Sequence, residues 1–540
     1  MDKKFISLAI DNVVNYGDTD IFPFPVENIV FRDKKDDIID LICKFDRRNL
    51  NERILKQTIG EKPPQNIYTC SPIGYNGFRW ATCIEPFWNV YLLSLVISIS
   101  TDLEKTRIPK NVVHSYRYKP DIKSGSLFDK KYGWMSFQEQ AELMAKNGKY
   151  QYVLSCDIAD FYNRIYHHDL IAALLQATSK SNIVNKIKHI LTTVSNGTSY
   201  GLPIGGPASR ILAEQVLHDI DKLMSCNKIK FVRFVDDYYI FANTLEQAHS
   251  YLNFMTNILM SNQGLSLQKH KTQIISKIEF LNLIKNRIRG EGDDQSSKEK
   301  TKFMSLPIKY DPYSPTAKVD YERIKGNLKD FNILSLLNEE LQKSKIHQQF
   351  SKRLIQSLDV ADKEVISDSF KVIVQKYQVL YPIFPTIMIA AFKNYDRLNK
   401  NAQDSIINSL LDLFDRNSHI IQNDLNLAYA IRVLGLRKSD ENESLIVQVY
   451  NDASNNEFIK NICLQIMIRW KSAYFISDLK TKFSNMQYWQ RRMFIIGSYI
   501  LKEEGRHWRN NTINNFNDLE KIINNWSKEN FQIRNWMMPL

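Results

Sequence analysis

Two adjacent aspartates, Asp236 and Asp237, interrupt a mostly apolar, β-prone run from Phe231 to Ile240 (FVRFVDDYYI). The pattern predicts a hairpin with the carboxylate pair at its tip. Neighbouring anions repel and raise each other's pKa, so the pair calls for a cation. A divalent ion with oxygen ligands, Mg²⁺ or Mn²⁺, completed by substrate phosphates, would supply it; the alternative is a solvated Asp-Asp turn. A third aspartate, Asp157, ends the predicted strand in YVLSCDIADFY (Tyr152 to Tyr162). Period two places Asp157 and Ala159 on one face and Asp160 on the other, leaving Asp160 as a local structural acceptor. A strand-end aspartate followed in sequence by an Asp-Asp hairpin offers three carboxylates, enough to hold paired Mg²⁺ ions for in-line phosphoryl transfer.

Two further segments must sit beside these acids. GLPIGGPASRILAEQVLHDIDKLM, Gly201 to Met224, opens with a turn rich in glycine and proline and continues as a predicted long helix, with Pro207 in its first turn. Gly205 and Gly206 would let backbone approach a nucleobase or template closely, although an ordinary helix start would look the same. Upstream, Lys105, Arg107, Lys110, Arg117, Lys119, Lys123, Lys130 and Lys131 outnumber Asp121 and Asp129, and Tyr116, Tyr118, Tyr132 and Trp134 interleave. Cations alternating with rings in SYRYKP suit strands that hold a triphosphate or a nucleic-acid backbone. A solvated cationic face is the competing reading.

The composition agrees with a polyanionic partner. The net charge of +13 favours nucleic acid over membrane, and 44% hydrophobic with 24% charged residues is ordinary for a globular chain. At 540 residues the chain has room for about three domains. Six cysteines scattered without a CxxC pair exclude a zinc ribbon or disulfide frame and suit reduced thiols. MDKKFISLAIDN lacks the apolar core of a secretion signal, and Val90–Ser100 is too short to span a bilayer. A soluble cytoplasmic protein with no membrane partner is expected.

In order, strand-Asp157, the LPIGGPAS turn and helix, the FVDD hairpin and LSLQKHKT (Leu265 to Thr272) resemble motifs A to D of reverse transcriptases. The resemblance implies that Asp157, Asp236 and Asp237 are the metal ligands, with dNTPs as substrates and DNA as product. It places Tyr162 where the family keeps a bulky ring against the ribose 2′-OH, with Phe161 in the core. Lys271 falls at a lysine suited to protonating pyrophosphate, and Arg117 and Lys119 fall near residues that hold the triphosphate. Val235 and the Phe161-Tyr162 pair depart from the pattern of viral RNA-dependent RNA polymerases. Ile204 stands where most templated reverse transcriptases have Gln. With GDTDIFPFPVE (Gly17 to Glu27), SYRYKP and GLPIGGPASRILAE, the chain resembles bacterial abortive-infection (Abi) and related defence-associated reverse transcriptases. For that group the resemblance implies homo-oligomers and, in some members, DNA synthesis primed by a tyrosine without an external template, leaving the product attached to protein. A noncoding or cellular RNA template is the alternative.

The expected fold class is α+β: reverse-transcriptase-like fingers and palm over residues 1–290, then an all-α, HEAT-like domain over 301–540. Leu283–Lys300 reads as a boundary loop. Beyond it, apolar residues fall at helical spacing in Val365–Gln378, Phe384–Phe392, Ala402–Phe414, Leu425–Leu434, Ser444–Tyr450, Phe458–Trp470 and Tyr488–Leu501. No repeat has a firm period. Trp470, Trp489, Arg491, Arg492, Trp508 and Arg509 read as core rings with snorkelling cations, or else as a nucleic-acid path.

Overall fold

The computed structural model describes residues 1–17, 21–288, 300, 303, 326, 328, 331–452, 454 and 456–540. Residues 18–20 of GDTDIFPFPVE lie outside the described residues, as do 289–299 of the expected boundary loop. The chain is mostly helical with some sheet, and it divides into two compact units: Met1–Tyr68 with Ala81–Ile288, and Thr69–Trp80 with Arg289–Leu540.

In the first unit, the apolar stretch after Pro86 forms the helix Pro86–Thr106, with the proline in its first turn where no intrahelical N–H is needed. It is apolar around its whole circumference because it is enclosed, packing on Lys3–Tyr16, Ser181–Val194 and Pro207–Val216. The predicted long helix after the glycine turn breaks at Leu217 into Pro207–Val216 and His218–Cys226.

The main sheet joins β5 (Tyr152–Asp157), β6 (Lys230–Phe234), β7 (Asp237–Ala242) and β8 (Gln273–Ser276) in the antiparallel order β6-β7-β5-β8. Val153, Val232, Tyr239, Phe241 and Ile275 pack with Phe137, Ala141, Ala145, Phe280 and Ile284 of the helices Trp134–Asn147 and Lys277–Ile288. Each of the valine, isoleucine and phenylalanine side chains among them contributes about 1.5–3 kcal/mol by leaving water. The alternate residues of β7, Tyr238 and Ile240, are buried as well. Period two therefore fixes the register strongly, since a one-residue slip would exchange the two faces. Two small hairpins complete the strands: β1 (Ile67–Ile73) with β2 (Gly77–Cys83), and β3 (Tyr118–Asp121) with β4 (Ser126–Phe128).

The second unit is a succession of helices. Gln348–Ser357, Phe384–Asn394, Asp424–Leu434, Glu457–Arg469, Tyr488–Gly497 and Asp518–Asn530 each pack on the next of that series. Asparagine side chains start several helices by accepting from exposed backbone N–H groups, as Asn399, Asn423, Asn456 and Asn517 do. Trp470, Trp489 and Arg492 are buried, and Trp508 packs edge-on against Phe483 and Phe494, so these belong to the core and not to a groove.

An unbroken run from 1 to 290 differs from the observed division in Thr69–Trp80. This segment is bonded to connections between helices far along the chain: the Tyr75 hydroxyl donates to Val379 O at 2.6 Å and accepts from Ile346 N at 3.0 Å. Asn423 donates to Cys70 O at 2.6 Å.

Candidate active site

β6 and β7 are joined by only two residues, Val235 and Asp236, because Phe234 already pairs with Asp237. Val235 has φ +56°, a left-handed conformation that a β-branched residue avoids at a cost of about 1–3 kcal/mol. On the other edge of β7, Asp157 pairs directly with Asp237, and Ile158 N donates to Asp236 O at 3.2 Å. The strand end and the hairpin turn thus bring Asp157, Asp236 and Asp237 to one corner of the sheet. Burial first, then the charges of Asp157 and Asp237, push the Asp236 carboxyl up to about 7.

The segment Leu265–Thr272 runs along the same strand end, with Ala159 N donating to Ser266 O at 2.8 Å and Gln268 N to Asp157 O at 2.8 Å. A short 3₁₀ turn, Lys269–Lys271, then carries the Lys271 ammonium onto the Asp157 carboxylate. Burial opposes the charge of Lys271, but Asp157 outweighs it and holds the ammonium above its ordinary pKa. Asp160 is exposed, and it is the backbone carbonyl, not the side chain, that accepts from Arg164 N at 3.0 Å at the start of the short helix that follows.

Tyr162 is half-buried, edge-on to the buried Phe161. Burial, then the nearby Tyr116 and Glu214, drive its hydroxyl far above the usual range, and Asp236 adds to the effect. Its carbonyl accepts from Leu202 N at 2.8 Å, which stitches the glycine turn to this end of β5. Within that turn Gly205 has φ +97°, open to glycine and strained for other residues, and Gly206 precedes the helix Pro207–Val216.

Arg117 is not available to a triphosphate, contrary to the sequence expectation. Its side chain is 1% exposed and bonded to Val113 O, Ile108 O and Glu104. Burial and the charge of Arg107 bring it down to about 10. It precedes β3, where alternation would have turned it outward. Lys119 within β3 is well exposed, 3.9 Å from Asp129.

Arg117 belongs to a buried charge network that the motifs alone did not disclose. Arg107 bridges Glu104 and Glu214, and Arg233 on β6 meets Glu214 at 3.1 Å and Asp221 at 2.6 Å. The Tyr238 hydroxyl donates to Asp221 at 3.2 Å, and Arg233 Nη1 donates to Val235 O at 2.8 Å. Glu214, before the break at Leu217, and Asp221, after it, both reach Arg233. A signal was present: a charge inside the apolar run FVRFV needs a buried partner.

The donors at the corner are all carboxylate oxygens, which suits a hard divalent cation. Among the described residues, no group of three His, Cys, Asp or Glu side chains is already arranged to hold an ion; Asp157 faces Lys271 instead. The donor chemistry fits such a cation, and the lysine is the positive charge now beside it.

Residues 103–310 match the family described as reverse transcriptase (RNA-dependent DNA polymerase). The chain carries a reverse transcriptase domain. Domains of this kind are nucleotidyltransferases of the RNA-directed DNA polymerase type, use divalent metal ions and bind nucleotides and nucleic acids. No curated protein matches. Among solved structures, telomerase from Candida albicans, in complex with a TWJ fragment of telomeric RNA, is 12% identical with a TM-score of 0.30. That match covers 67% of this chain and 66% of the telomerase chain, just under two thirds of its length. Apo telomerase from Candida tropicalis is 12% identical with a TM-score of 0.31, over 68% of each chain. Likeness at this distance says nothing of this reverse transcriptase domain's template or partners. No helix among the described residues is long and apolar enough to cross a membrane.

Proposed function

We propose that the reverse transcriptase domain synthesises DNA at the corner formed by Asp157, Asp236 and Asp237. The observation that carries this reading is the direct pairing of Asp157 with Asp237 beside the two-residue turn that presents Asp236. The three carboxylates would hold Mg²⁺ or Mn²⁺, which when bound activates the attacking hydroxyl and neutralises phosphate charge. Asp157 and Asp236 are the principal holders and Asp237 the third. Lys271, in contact with Asp157, would give a proton to the departing pyrophosphate. Tyr162 excludes ribonucleotides by bulk, Gly205 and Gly206 let backbone lie against the template or base, and Lys119 takes the triphosphate role that the buried Arg117 leaves.

We further read the chain as a defence-associated enzyme of the abortive-infection kind, primed by one of its own tyrosines, template-independent, homo-oligomeric and cytoplasmic. GDTDIFPFPVE, SYRYKP, GLPIGGPASRILAE and Ile204 in place of Gln support this. The stacked helices of the second unit support a HEAT-like domain after the polymerase half. A second reading, copying of a noncoding or cellular RNA, is favoured by the match to an RNA-dependent DNA polymerase family.

Purified protein supplied with Mg²⁺ and single dNTPs, before and after nuclease and protease treatment, separates these readings. DNA made without RNA that migrates with protein until proteolysis supports self-priming; synthesis lost to RNase supports the templated enzyme. Asp236→Asn should reduce either activity on the order of 10³-fold or more, as loss of a principal charge-stabilising group does. A folded D236N protein that still extends DNA would refute the assignment of the corner.

A further inference from the structure

We propose that Arg233 is a positioning residue that holds the Val235–Asp236 turn in the conformation presenting Asp236 to Asp157 and Asp237. The inference rests on the reading of that corner as the polymerase centre. Its starting point is the turn itself. Valine does not favour positive φ, and a two-residue connection has few bonds with which to enforce it. The carbonyl of Val235 is tied down from behind by Arg233 Nη1 at 2.8 Å.

Arg233 can serve as an anchor because it is itself immobile. Nε and Nη2 bond the Asp221 carboxylate at 3.0 and 2.6 Å, and Nη2 lies 3.1 Å from Glu214. Its backbone N donates to Val112 O at 2.8 Å and its carbonyl accepts from His114 N at 2.9 Å. The side chain is 1% exposed. Tyr238, its cross-strand partner, also reaches Asp221, so one carboxylate braces both strands next to the turn. An ion pair serving stability alone would need only the bonds to Asp221 and Glu214. The remaining guanidinium nitrogen is the one aimed at the strained residue. A lysine, with one compact ammonium, cannot hold the acids and the carbonyl at once.

The test uses the full-length chain and Arg233→Lys, alone and with Val235→Gly. Three quantities are read: Mn²⁺ binding without nucleotide by electron paramagnetic resonance, kcat and KM for dNTP incorporation, and the thermal midpoint. Folded R233K should lose about 10–100-fold in Mn²⁺ affinity and kcat, as when a group orienting a metal ligand is removed, with KM little changed. In the V235G background, where glycine adopts positive φ without strain, the same substitution should cost much less. Equal losses in both backgrounds, or Mn²⁺ affinity and kcat unchanged in R233K, would overturn the proposal. Should R233K fail to fold, the double variant R233Q/D221N, which neutralises the Arg233–Asp221 pair together and leaves Glu214 to Arg107, takes its place. It should show the same losses, and wild-type Mn²⁺ affinity and kcat there would equally overturn it. D236N keeps the two ideas apart: inactive D236N beside an unaffected R233K sinks the positioning role alone, whereas active D236N sinks the reading of the corner.

Discussion

Asp157 and Asp237 are direct cross-strand partners, and the carboxylate of Asp157 also receives the ammonium of Lys271. Three segments distant in the chain thereby meet at one end of the sheet, with acid and counter-charge in contact. Lys271 has two roles open to it, balancing Asp157 and delivering a proton. Lys271→Met should lower kcat by about 10²-fold, the size of a general-acid contribution, with KM for dNTP nearly unchanged. Single-turnover nucleotide incorporation measures it; a variant with unaltered kcat would leave Lys271 as a counter-ion only.

Tyr162 stands half-buried beside Asp236, where the sugar of an incoming nucleotide is expected. Tyr162→Ala should raise ribonucleotide use relative to deoxynucleotide use by about 10²-fold, since a pocket discriminates by bulk only to that degree. Competition between matched rNTP and dNTP measures the ratio, and no change in it would remove Tyr162 from sugar selection.

Arg117 and Lys119 are two residues apart but should behave in opposite ways. Arg117→Ala leaves Glu104 short of one buried partner and should destabilise the fold by roughly 3–5 kcal/mol. Lys119→Ala should leave stability alone and raise KM for dNTP. Urea unfolding alongside steady-state kinetics tests both. A stable R117A protein with a raised KM would restore Arg117 to the substrate site.

His218 starts the helix that carries Asp221 and is 5% exposed. Burial, reinforced by Lys222, Arg107 and Arg233 and opposed by Asp219, lowers it from the ordinary 6.5 to about 4. Its pKa is depressed on folding, so the unfolded chain takes up a proton between these values that the folded chain refuses. Stability is full above about pH 6.5 and falls as the pH drops towards 4, by roughly 3 kcal/mol over that window. In His218→Gln this component should vanish, and urea midpoints between pH 7 and 4 would show parallel curves if His218 were not responsible.

What could be read from the residues was whatever depends on local pattern. Alternation predicted the strands carrying Asp157 and the Asp236–Asp237 hairpin, and helical spacing found Phe384–Asn394 and Asp424–Leu434 to within two residues. Lys502–Thr512 was missed because its sequence, KEEGRHWRNNT, is polar on almost every face. β8 was missed because four residues are too few for a period to register. Arg117 was misplaced because its burial depends on Glu104 and on carbonyls that only the fold brings near it. The network around Arg233 could be suspected from its charge in an apolar strand, but its partners Glu214 and Asp221 could not be named from spacing.

The hairpin segment Thr69–Trp80 has a practical corollary for anyone dividing this molecule. Tyr75 satisfies Val379 and Ile346, and Cys70 satisfies Asn423, so a gene fragment lacking this hairpin would leave those backbone and amide groups to water. Supplying the early segment in trans, or grafting it on, would restore those bonds to that fragment. During synthesis on the ribosome, the same arrangement obliges the emerged hairpin to wait for helices translated much later.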